Sequence, residues 1–348
     1  KARMTWKRLP AYNVIGKITG THPILKDEAI VLESYYDSIS PVPAVSPGAN
    51  QASSVVAMLE MARYFREYPP ARTVYFLATS GHFLSLSGVS DFTQRHARKT
   101  EYFAERMGDP INMKLFVGLD LSSARNQVGI YYAGIIFAGN SFEKQRFFTP
   151  FGRKFMSFAD EITGTLGYPS DLLMNVITPP GGIRPTEFFP AGGLGLDGEL
   201  MFWTGYPALT FATVFDAREF VDTPLDTPDR VDVKNLHEQA TLLTGLLAKG
   251  INDPDLFPDF KMQLDDLFVT GRIKVVEFDP KQSFIPDVPK PGAVVRFRRY
   301  NKSVSGVKNE IFVVADSNGV AESTQLEAGR TYPTEGYVID PETGDITY

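Results

Sequence analysis

The chain has 348 residues, 43% of them hydrophobic and 22% charged, with 29 Gly and 25 Pro, a composition that is typical of soluble globular proteins and excludes a disordered, collagen-like or coiled-coil chain. Because 35 Lys and Arg face 41 Asp and Glu, the formal net charge is −6, which argues against binding of nucleic acid or of an anionic membrane surface. The lack of cysteine excludes disulfides, thiolate metal sites and a cysteine nucleophile.

No apolar run in the sequence approaches the roughly 20 residues that a membrane span needs. The sequence begins with Lys1, without a cleavable apolar leader, and its last residues read as an unfinished strand. We therefore expect a fragment of a longer protein, with any membrane anchor or signal located outside these residues.

The N-terminal part of the chain alternates strand and helix patterns. β-branched and aromatic residues predict strands over 12–20 and 29–36, and a near-continuous apolar run predicts a strand buried on both faces over 72–79. Because a helical pattern lies between the last two, the order predicts a βαβ crossover and parallel pairing.

The helix of this crossover has predicted ends and a predicted buried face. Ser53-Ser54 are expected to cap its start, and Pro69-Pro70 to stop it. Its buried face is predicted from residues that recur at three- and four-residue spacing, namely Val55, Met58, Leu59, Ala62 and Phe65.

The same alternation continues to a last long helix, whose apolar stripe is followed by Gly250. In chain order the patterns predict a helix over 91–106, strands over 115–120 and 128–138, a helical stretch within 140–167, a strand over 206–214 and a helix from 233 to 250. The predicted fold class is α/β, with a mixed, mostly parallel sheet sandwiched by helices.

Composition changes after residue 252. Turn chemistry and several prolines predict a linker over 253–290, and short strand patterns separated by Asn/Gly turns predict a small all-β sandwich module, possibly truncated, over 291–348. The predicted organisation is thus an α/β domain over 1–252, a proline-rich linker and a β module.

Seven short segments, in order, resemble a known family. They are Asn13-Val-Ile-Gly16, Glu33-Ser-Tyr-Tyr-Asp-Ser38, Pro47-Gly-Ala-Asn-Gln-Ala-Ser-Ser-Val55, Leu59-Glu-Met-Ala-Arg63, Arg72-Thr-Val-Tyr-Phe-Leu-Ala78, Gly118-Leu-Asp120 and Asp222-Thr-Pro-Leu-Asp-Thr227. This order resembles the di-zinc aminopeptidases of the zinc-dependent exopeptidase superfamily, peptidase family M28, over about residues 12–250. Glutaminyl cyclases and the inactive ectodomains of transferrin receptor and nicastrin share that fold.

The resemblance implies five positions for zinc ligands and one for a general base. In active members two zinc ions share a carboxylate, and imidazole and carboxylate donors complete each shell. Here the first histidine falls on Tyr35 and the bridging aspartate on Asn50. The general-base glutamate falls on His82 and the ligand next to it on Phe83.

Of the last two ligand positions, one keeps its residue and the other does not. The aspartate of a later strand is retained as Asp120, and the last histidine falls on Asp222. The neighbouring scaffold residues Asp37 and Asp226 are kept. Because four of five ligands and the general base are replaced, the resemblance implies a degenerate site that binds no zinc and has no catalytic residues.

Two alternatives remain open at this stage. His82, Asp120 and Asp222, with the Asn50 carbonyl, would form a rebuilt, non-standard metal site for a metallopeptidase-like hydrolase. In the second alternative, Tyr35, Phe83 and Trp203 line a pocket for an apolar or aromatic ligand. The simpler interpretation is that the polar groups hydrogen-bond one another or solvent in a vestigial cleft.

The function we predict is a catalytically inactive aminopeptidase-like domain, a pseudoenzyme that serves as a binding or scaffold module. Its expected partner is a protein or another part of a larger polypeptide, with no nucleic acid and no membrane contact except through segments outside these residues. The resemblance implies an extracytoplasmic or membrane-associated setting, because such domains are usually secreted or displayed.

Overall fold

The computed structural model describes residues 10–38, 40, 45–84, 86–97, 111–132, 134, 142–179, 195–257, 268–298, 310–327, 329, 331–340, 342–343 and 346–347. The chain divides into two compact units, Tyr12–Asp266 and a second unit made of Lys1–Ala11 and Leu267–Tyr348. The division at 266 lies beyond the predicted end of the α/β domain at 252.

The first unit is built on a mixed sheet. Its strands are β1 Val14–Ile18, β2 Ala29–Tyr35, β3 Thr73–Thr79, β4 Met113–Asp120, β5 Val128–Tyr131, β6 Leu173–Asn175 and β7 Ala208–Thr213. Within the described residues these seven strands pair in the order β1-β3-β2-β4-β7-β5-β6. The central strands β3, β2, β4 and β7 run parallel, whereas β1 and β5 pair antiparallel to β3 and β7.

Helices flank this sheet. They are α1 Ser53–Glu67, α2 Ser87–Phe92, α3 Phe142–Leu166, α4 Asp197–Trp203 and α5 Val233–Asn252, with a short π-helical turn at Thr93–Ala97 after α2. α5 packs against α1 and α3, and α4 packs against β4 and β7. All residues of β2 and β7 are buried, as expected for strands covered on both faces.

The fold class is as predicted from the sequence, whereas the strand β6 and the helix α4 were not predicted. The remaining differences are local. α1 begins at Ser53, with Ala52 as its N-cap residue, and the hydroxyl of Ser54 instead accepts a hydrogen bond from the backbone N–H of Leu121 at 2.6 Å. Leu59, predicted to be buried, is 57% exposed, because Ala57, Met58 and Met61 form the inward face. Parts of the predicted helix over 91–106 and of the predicted strand over 128–138 lie outside the described residues.

The second unit is all-β. Its strands are β8 Phe268–Lys274, β9 Val276–Glu277, β10 Val288–Pro289, β11 Val294–Arg298, β12 Glu310–Val314, β13 Val320–Glu327, β14 Thr334–Ile339 and β15 Ile346–Thr347. They form antiparallel sheets of order β12-β11-β14-β15, β13-β8 and β10-β9. A core of its own includes Val295, Phe297, Ala321 and Leu326. The segment predicted as a linker therefore contains β8, β9 and β10.

Two helices of the first unit are long enough to cross a membrane by length alone. Neither the 25-residue α3 nor the 20-residue α5, nor any other helix in the described ranges, combines the length and the hydropathy of a membrane span.

Candidate functional site

The predicted site residues lie at one edge of the first unit's sheet. Tyr35 is the last residue of β2, Asp120 is the last residue of β4, and His82 follows the end of β3. Because β3, β2, β4 and β7 are parallel neighbours, their carboxyl ends meet, and the loops that follow them share one space.

Asp120 is held by a cation. Its Oδ1 accepts hydrogen bonds from Nη1 of Arg218 at 2.7 Å and from the hydroxyl of Tyr35 at 3.1 Å. Nη2 of Arg218 donates to the backbone carbonyl of Asp120 at 3.0 Å. The side chains of Arg218 and Asp120 are only 12% and 5% exposed, so this is a buried ion pair. Arg218 was not among the sequence-predicted residues.

The backbone around Arg218 is strained. Arg218 has φ +51°, and its neighbours Phe215 and Asp222 have φ +57° and +68°, the left-handed region that disfavours side chains with Cβ. The N–H of Arg218 donates to Oδ1 of Asp216 at 2.9 Å. This turn after β7 is thereby fixed in the conformation that directs the Arg218 guanidinium to Asp120.

His82 has a carboxylate partner of its own. Its Nδ1 lies 2.5 Å from Oδ2 of Asp197, the first residue of α4. Burial opposes protonation of the imidazole, but the charge and hydrogen bond of Asp197 outweigh it and raise the pKa of His82. The ring stacks on Tyr35 at a centroid distance of 4.1 Å and meets Phe83 edge-on at 4.8 Å.

Tyr35 and Asp37 support this arrangement. Burial and the adjacent Asp120 raise the pKa of Tyr35 well above its usual range, so the phenol stays protonated and acts as a donor. The Asp37 carboxylate accepts from the backbone N–H groups of Gly81 and His82, at 3.0 and 3.4 Å. Asp37 therefore positions the loop after β3, and burial raises its pKa.

Asn50 is hydrogen-bonded on both sides of its amide. Its Nδ2 and its backbone N–H both donate to Oδ1 of Asp226 at 2.9 Å. Its Oδ1 accepts from the hydroxyl of Ser123 at 2.7 Å and from the Ser123 N–H at 3.2 Å. A neutral amide is suited to this place, because it donates to a fully buried carboxylate and accepts from a serine.

Asp222 and Phe83 complete the predicted set. Oδ1 of Asp222 accepts from Nε2 of Gln51 at 3.0 Å, and burial raises the pKa of Asp222. Phe83 packs edge-on against Tyr35 and His82. The side chain of Trp203, the third aromatic residue of the pocket alternative, lies outside the described part of the chain.

A buried acid beneath the site was missed by the sequence reasoning. Glu33 on β2 is 1% exposed, and its Oε1 accepts from the hydroxyl of Thr79 at 2.6 Å. Burial, reinforced by the charges of Asp197 and Asp120, raises the pKa of Glu33 well above its ordinary value, so the carboxyl group is held in its neutral form. The sequence does not mark Glu33 as buried, because it resembles an ordinary polar residue near the end of a strand.

The side chains present do not fit a di-zinc centre. The only family ligand that is retained, Asp120, is already neutralised by Arg218, and the Tyr35 phenol is protonated. Within the described ranges, no three His, Asp or Glu side chains are grouped so that they could hold a metal ion. His82, Asp120 and Asp222 are therefore not assembled into the rebuilt metal site of the first alternative, and each contacts a different partner.

Gly198, next to Asp197, packs closely against β7. A Cβ atom at this position would lie 2.4 Å from the hydroxyl of Thr210. A larger residue here, histidine included, would collide with Thr210 of β7.

With this geometry in hand, the chain was compared with known proteins. The sequence model of the family described as Peptidase family M28 matches residues 13–155. No curated protein sequence matches the chain significantly.

Solved structures with a similar fold include two aminopeptidases. BSAP, a zinc aminopeptidase from Bacillus subtilis, is 18% identical with a TM-score of 0.44, and the match covers 73% of this chain and 52% of that one. The aminopeptidase from Aneurinibacillus sp. strain AM-1 is 17% identical with a TM-score of 0.43, covering 68% of this chain and 47% of that one. This chain thus spans about half the length of these enzymes.

A glutaminyl cyclase is also similar in structure. The enzyme from Bacteroides thetaiotaomicron is 13% identical with a TM-score of 0.45, covering 68% of this chain and 77% of that one. By the family match, residues 13–155 of this chain are similar to peptidase family M28.

Proposed function

We propose that this M28 family domain is a catalytically inactive binding or scaffold module within a larger extracytoplasmic or membrane-associated assembly. The observation that carries the proposal is the buried ion pair between Arg218 and Asp120. Asp120 is the one carboxylate that the family's metal site has kept, and a side-chain cation occupies the place where it would meet a metal cation.

Charge balance is the physical reason. Two dications need several anionic ligands around them, and a fixed guanidinium 2.7 Å from the carboxylate oxygen repels any further cation. Burial opposes the charged guanidinium, but Asp120 stabilises it, and the pKa of Arg218 is raised. Arg218 therefore remains charged at every pH at which the protein is folded.

The chemistry of the other positions supports the same conclusion. Phe83 has no lone pair to donate, and the Asn50 amide is committed to Asp226 and Ser123. His82, in the position of the general base, is bound to Asp197 and packed against the rings of Tyr35 and Phe83, so its imidazole is committed to structural contacts.

The second unit contributes a surface that suits a partner protein. The loop between β9 and β10 exposes three large apolar side chains: Phe278 is 56%, Phe284 96% and Ile285 62% exposed. Apolar side chains displayed together on one short loop are typical of protein contact sites. We propose that this loop contacts a protein or another part of a larger polypeptide.

The test of lost catalysis is zinc stoichiometry by elemental analysis, after incubation of the purified chain with excess Zn²⁺ and desalting, together with an aminopeptidase assay on a panel of aminoacyl anilides. We expect close to no zinc per chain and no turnover. Asp120→Asn is the control, since any activity that it retains comes from a contaminant. Bound zinc or turnover that is lost in Asp120→Asn would overturn the proposal.

The test of the contact loop uses a photo-crosslinking residue in place of Phe284, with the same residue in place of exposed Lys281 as a matched control. In cells that make the whole protein, we expect a discrete adduct from position 284 that is lost when Ile285 is replaced by Ser. Equal labelling from both positions, or an adduct that survives Ile285→Ser, would remove the contact loop from the proposal. Fractionation of the same cells tests the extracytoplasmic setting.

A further inference from the structure

A cavity lies beside the Arg218–Asp120 pair. It has a volume of about 260 Å³ and is bounded by the loop after β4 and by the loop after β7. Oδ2 of Asp216 accepts from the backbone N–H of Ala124 at 3.1 Å, so the two walls are joined to each other. The cavity is therefore a built feature of two tied loops at the carboxyl edge of the sheet.

Two buried donors at this cavity lack acceptors. In the part of the chain that the structure describes, Nε of Arg218 and the hydroxyl of Ser122 have no hydrogen-bond partner, and both residues line the cavity. A buried donor without an acceptor costs free energy, and such groups are rare in folded proteins. Acceptor atoms of a ligand that reached these two donors from the cavity would satisfy both.

Two further cations stand at the same cavity. Arg125 and Arg230 line it, and among the described residues neither guanidinium forms an ion pair. The Arg230 guanidinium lies over the Phe220 ring at 4.3 Å, which fixes its direction. The acidic residues of the lining are Asp216, whose oxygens accept from two backbone N–H groups, and Glu219, which is exposed.

The remaining walls are partly aromatic. Phe215 and Phe220 both line the cavity, and Phe215 is held there at φ +57°. Among the described residues, three of the four non-glycine residues with positive φ fall between 215 and 222. Strain that is concentrated in one loop marks a segment whose shape is maintained for binding rather than for its own stability.

We propose that this cavity binds a small organic carboxylate that carries an aromatic or apolar group. An N-acylated amino acid, which resembles the C-terminal residue of a peptide, is one such ligand. The carboxylate would accept from Arg218 and Ser122 and pair with Arg125 and Arg230, while its apolar part contacts the two phenylalanine rings. The inference rests on the proposed function, because it names a ligand class for the same metal-free site.

The test is calorimetric titration of the whole chain with N-acetyl-L-phenylalanine and, in parallel, with its neutral amide. We expect the acid to bind and the amide to bind at least about tenfold more weakly, because the amide loses the charge-assisted hydrogen bonds. In Arg125→Gln/Arg230→Gln we expect affinity for the acid to fall about tenfold, with a clearly smaller loss for the amide. Both arginines are exposed, so this variant should fold.

Arg66→Gln on α1 is the matched control, because Arg66 is exposed and does not line the cavity. Ser122→Ala provides a second variant within the cavity and should weaken the acid more than the amide. Equal binding of acid and amide, no binding of the acid, or an unchanged affinity in the double arginine variant would overturn the inference. Such a result would leave the proposed function intact, whereas tightly bound zinc would overturn the proposed function whatever the outcome of the titration.

Discussion

The rings of Tyr35 and His82 lie stacked, 4.1 Å apart and inclined by 25°, yet they serve two different carboxylates. Tyr35 donates to Asp120, and His82 is bound to Asp197. The stack therefore joins two acid–base pairs into one packed cluster, in which each carboxylate is matched by a donor or a cation.

The first prediction concerns the buried ion pair. Arg218→Met leaves the Asp120 charge buried without its cation, and we expect the free energy of unfolding to fall by roughly 3–5 kcal/mol. Adding Asp120→Asn to the same chain should restore part of this loss, because the uncompensated charge is then gone. Urea unfolding of both variants measures the effect. A single variant as stable as the wild type would show that the pair is not formed.

A second prediction follows from the Asn50 amide. Asn50→Asp places a carboxylate oxygen beside Oδ1 of Asp226, which now accepts from Asn50 at 2.9 Å. We expect a loss of roughly 2 kcal/mol or more at pH 7, from the lost donor and the repulsion between like charges.

The stability of this variant should also depend on pH. Asp226 raises the pKa of the new carboxyl group, so the variant is most stable at acid pH and loses stability as pH rises through that pKa. Asn50→Ala loses the hydrogen bonds without gaining a charge and should lack this pH dependence. Unfolding at pH 5 and pH 7.5 compares the two, and parallel curves would contradict the assignment.

Glu33 provides a third prediction. Its pKa is raised in the folded protein, so the neutral form stabilises the fold fully below the ordinary glutamate pKa of about 4.5, and that contribution is lost as pH rises through the folded pKa. Glu33→Gln keeps an acceptor for the Thr79 hydroxyl without the charge. We therefore expect the variant to gain stability relative to the wild type between pH 5 and pH 8.

Thermal or urea unfolding across this range measures the difference. The control is Glu60→Gln on α1, where the carboxylate is exposed and pairs only with Arg63. If Glu33→Gln and Glu60→Gln shift stability by the same amount at every pH, the neutral Glu33 carboxyl is refuted.

The fourth prediction concerns His82. Its pKa is raised in the folded state by Asp197, so the protonated ring stabilises the fold fully below an unfolded pKa of about 6.5, and this contribution is lost as pH rises through the folded pKa. To separate the contribution of His82 from that of Glu33, stability is compared in a chain that already carries Glu33→Gln. There we expect stability to decline from pH 6 to pH 9, and the decline to vanish on adding His82→Gln.

Direct titration of the His82 ring by NMR provides an independent check. An apparent pKa below 6.5 would exclude the His82–Asp197 ion pair.

Much of the fold could be predicted because its signals are local. The apolar run of β3 and the stripe of α5 are regular over a few residues. The motif order placed Tyr35, His82 and Asp120 at or just after strand ends, and Asn50 in the loop before α1. The error at Leu59 arose because the inward face of α1 is formed by Ala57, Met58 and Met61, which turns Leu59 toward solvent.

The partners of the site residues could not be predicted in the same way. Arg218 meets Asp120 across 98 positions of sequence, and Asp197 meets His82 across 115. Nothing within a few residues of Arg218 indicates that its guanidinium is buried, because this depends on a left-handed turn and on the pairing of β4 with β7. The sequence shows which residues stand at the family's ligand positions. It does not show what those residues contact.

The Arg218–Asp120 pair affects which single substitutions the chain can tolerate. A single substitution that restores one ligand-like residue, such as Asn50→Asp, adds a charge to a network that is already balanced, and the chain loses stability before it gains a metal. Removing Arg218 first leaves the buried Asp120 carboxylate without its cation. Since each first step is costly by itself, the ion pair opposes the stepwise construction of a metal site, which would need several simultaneous changes.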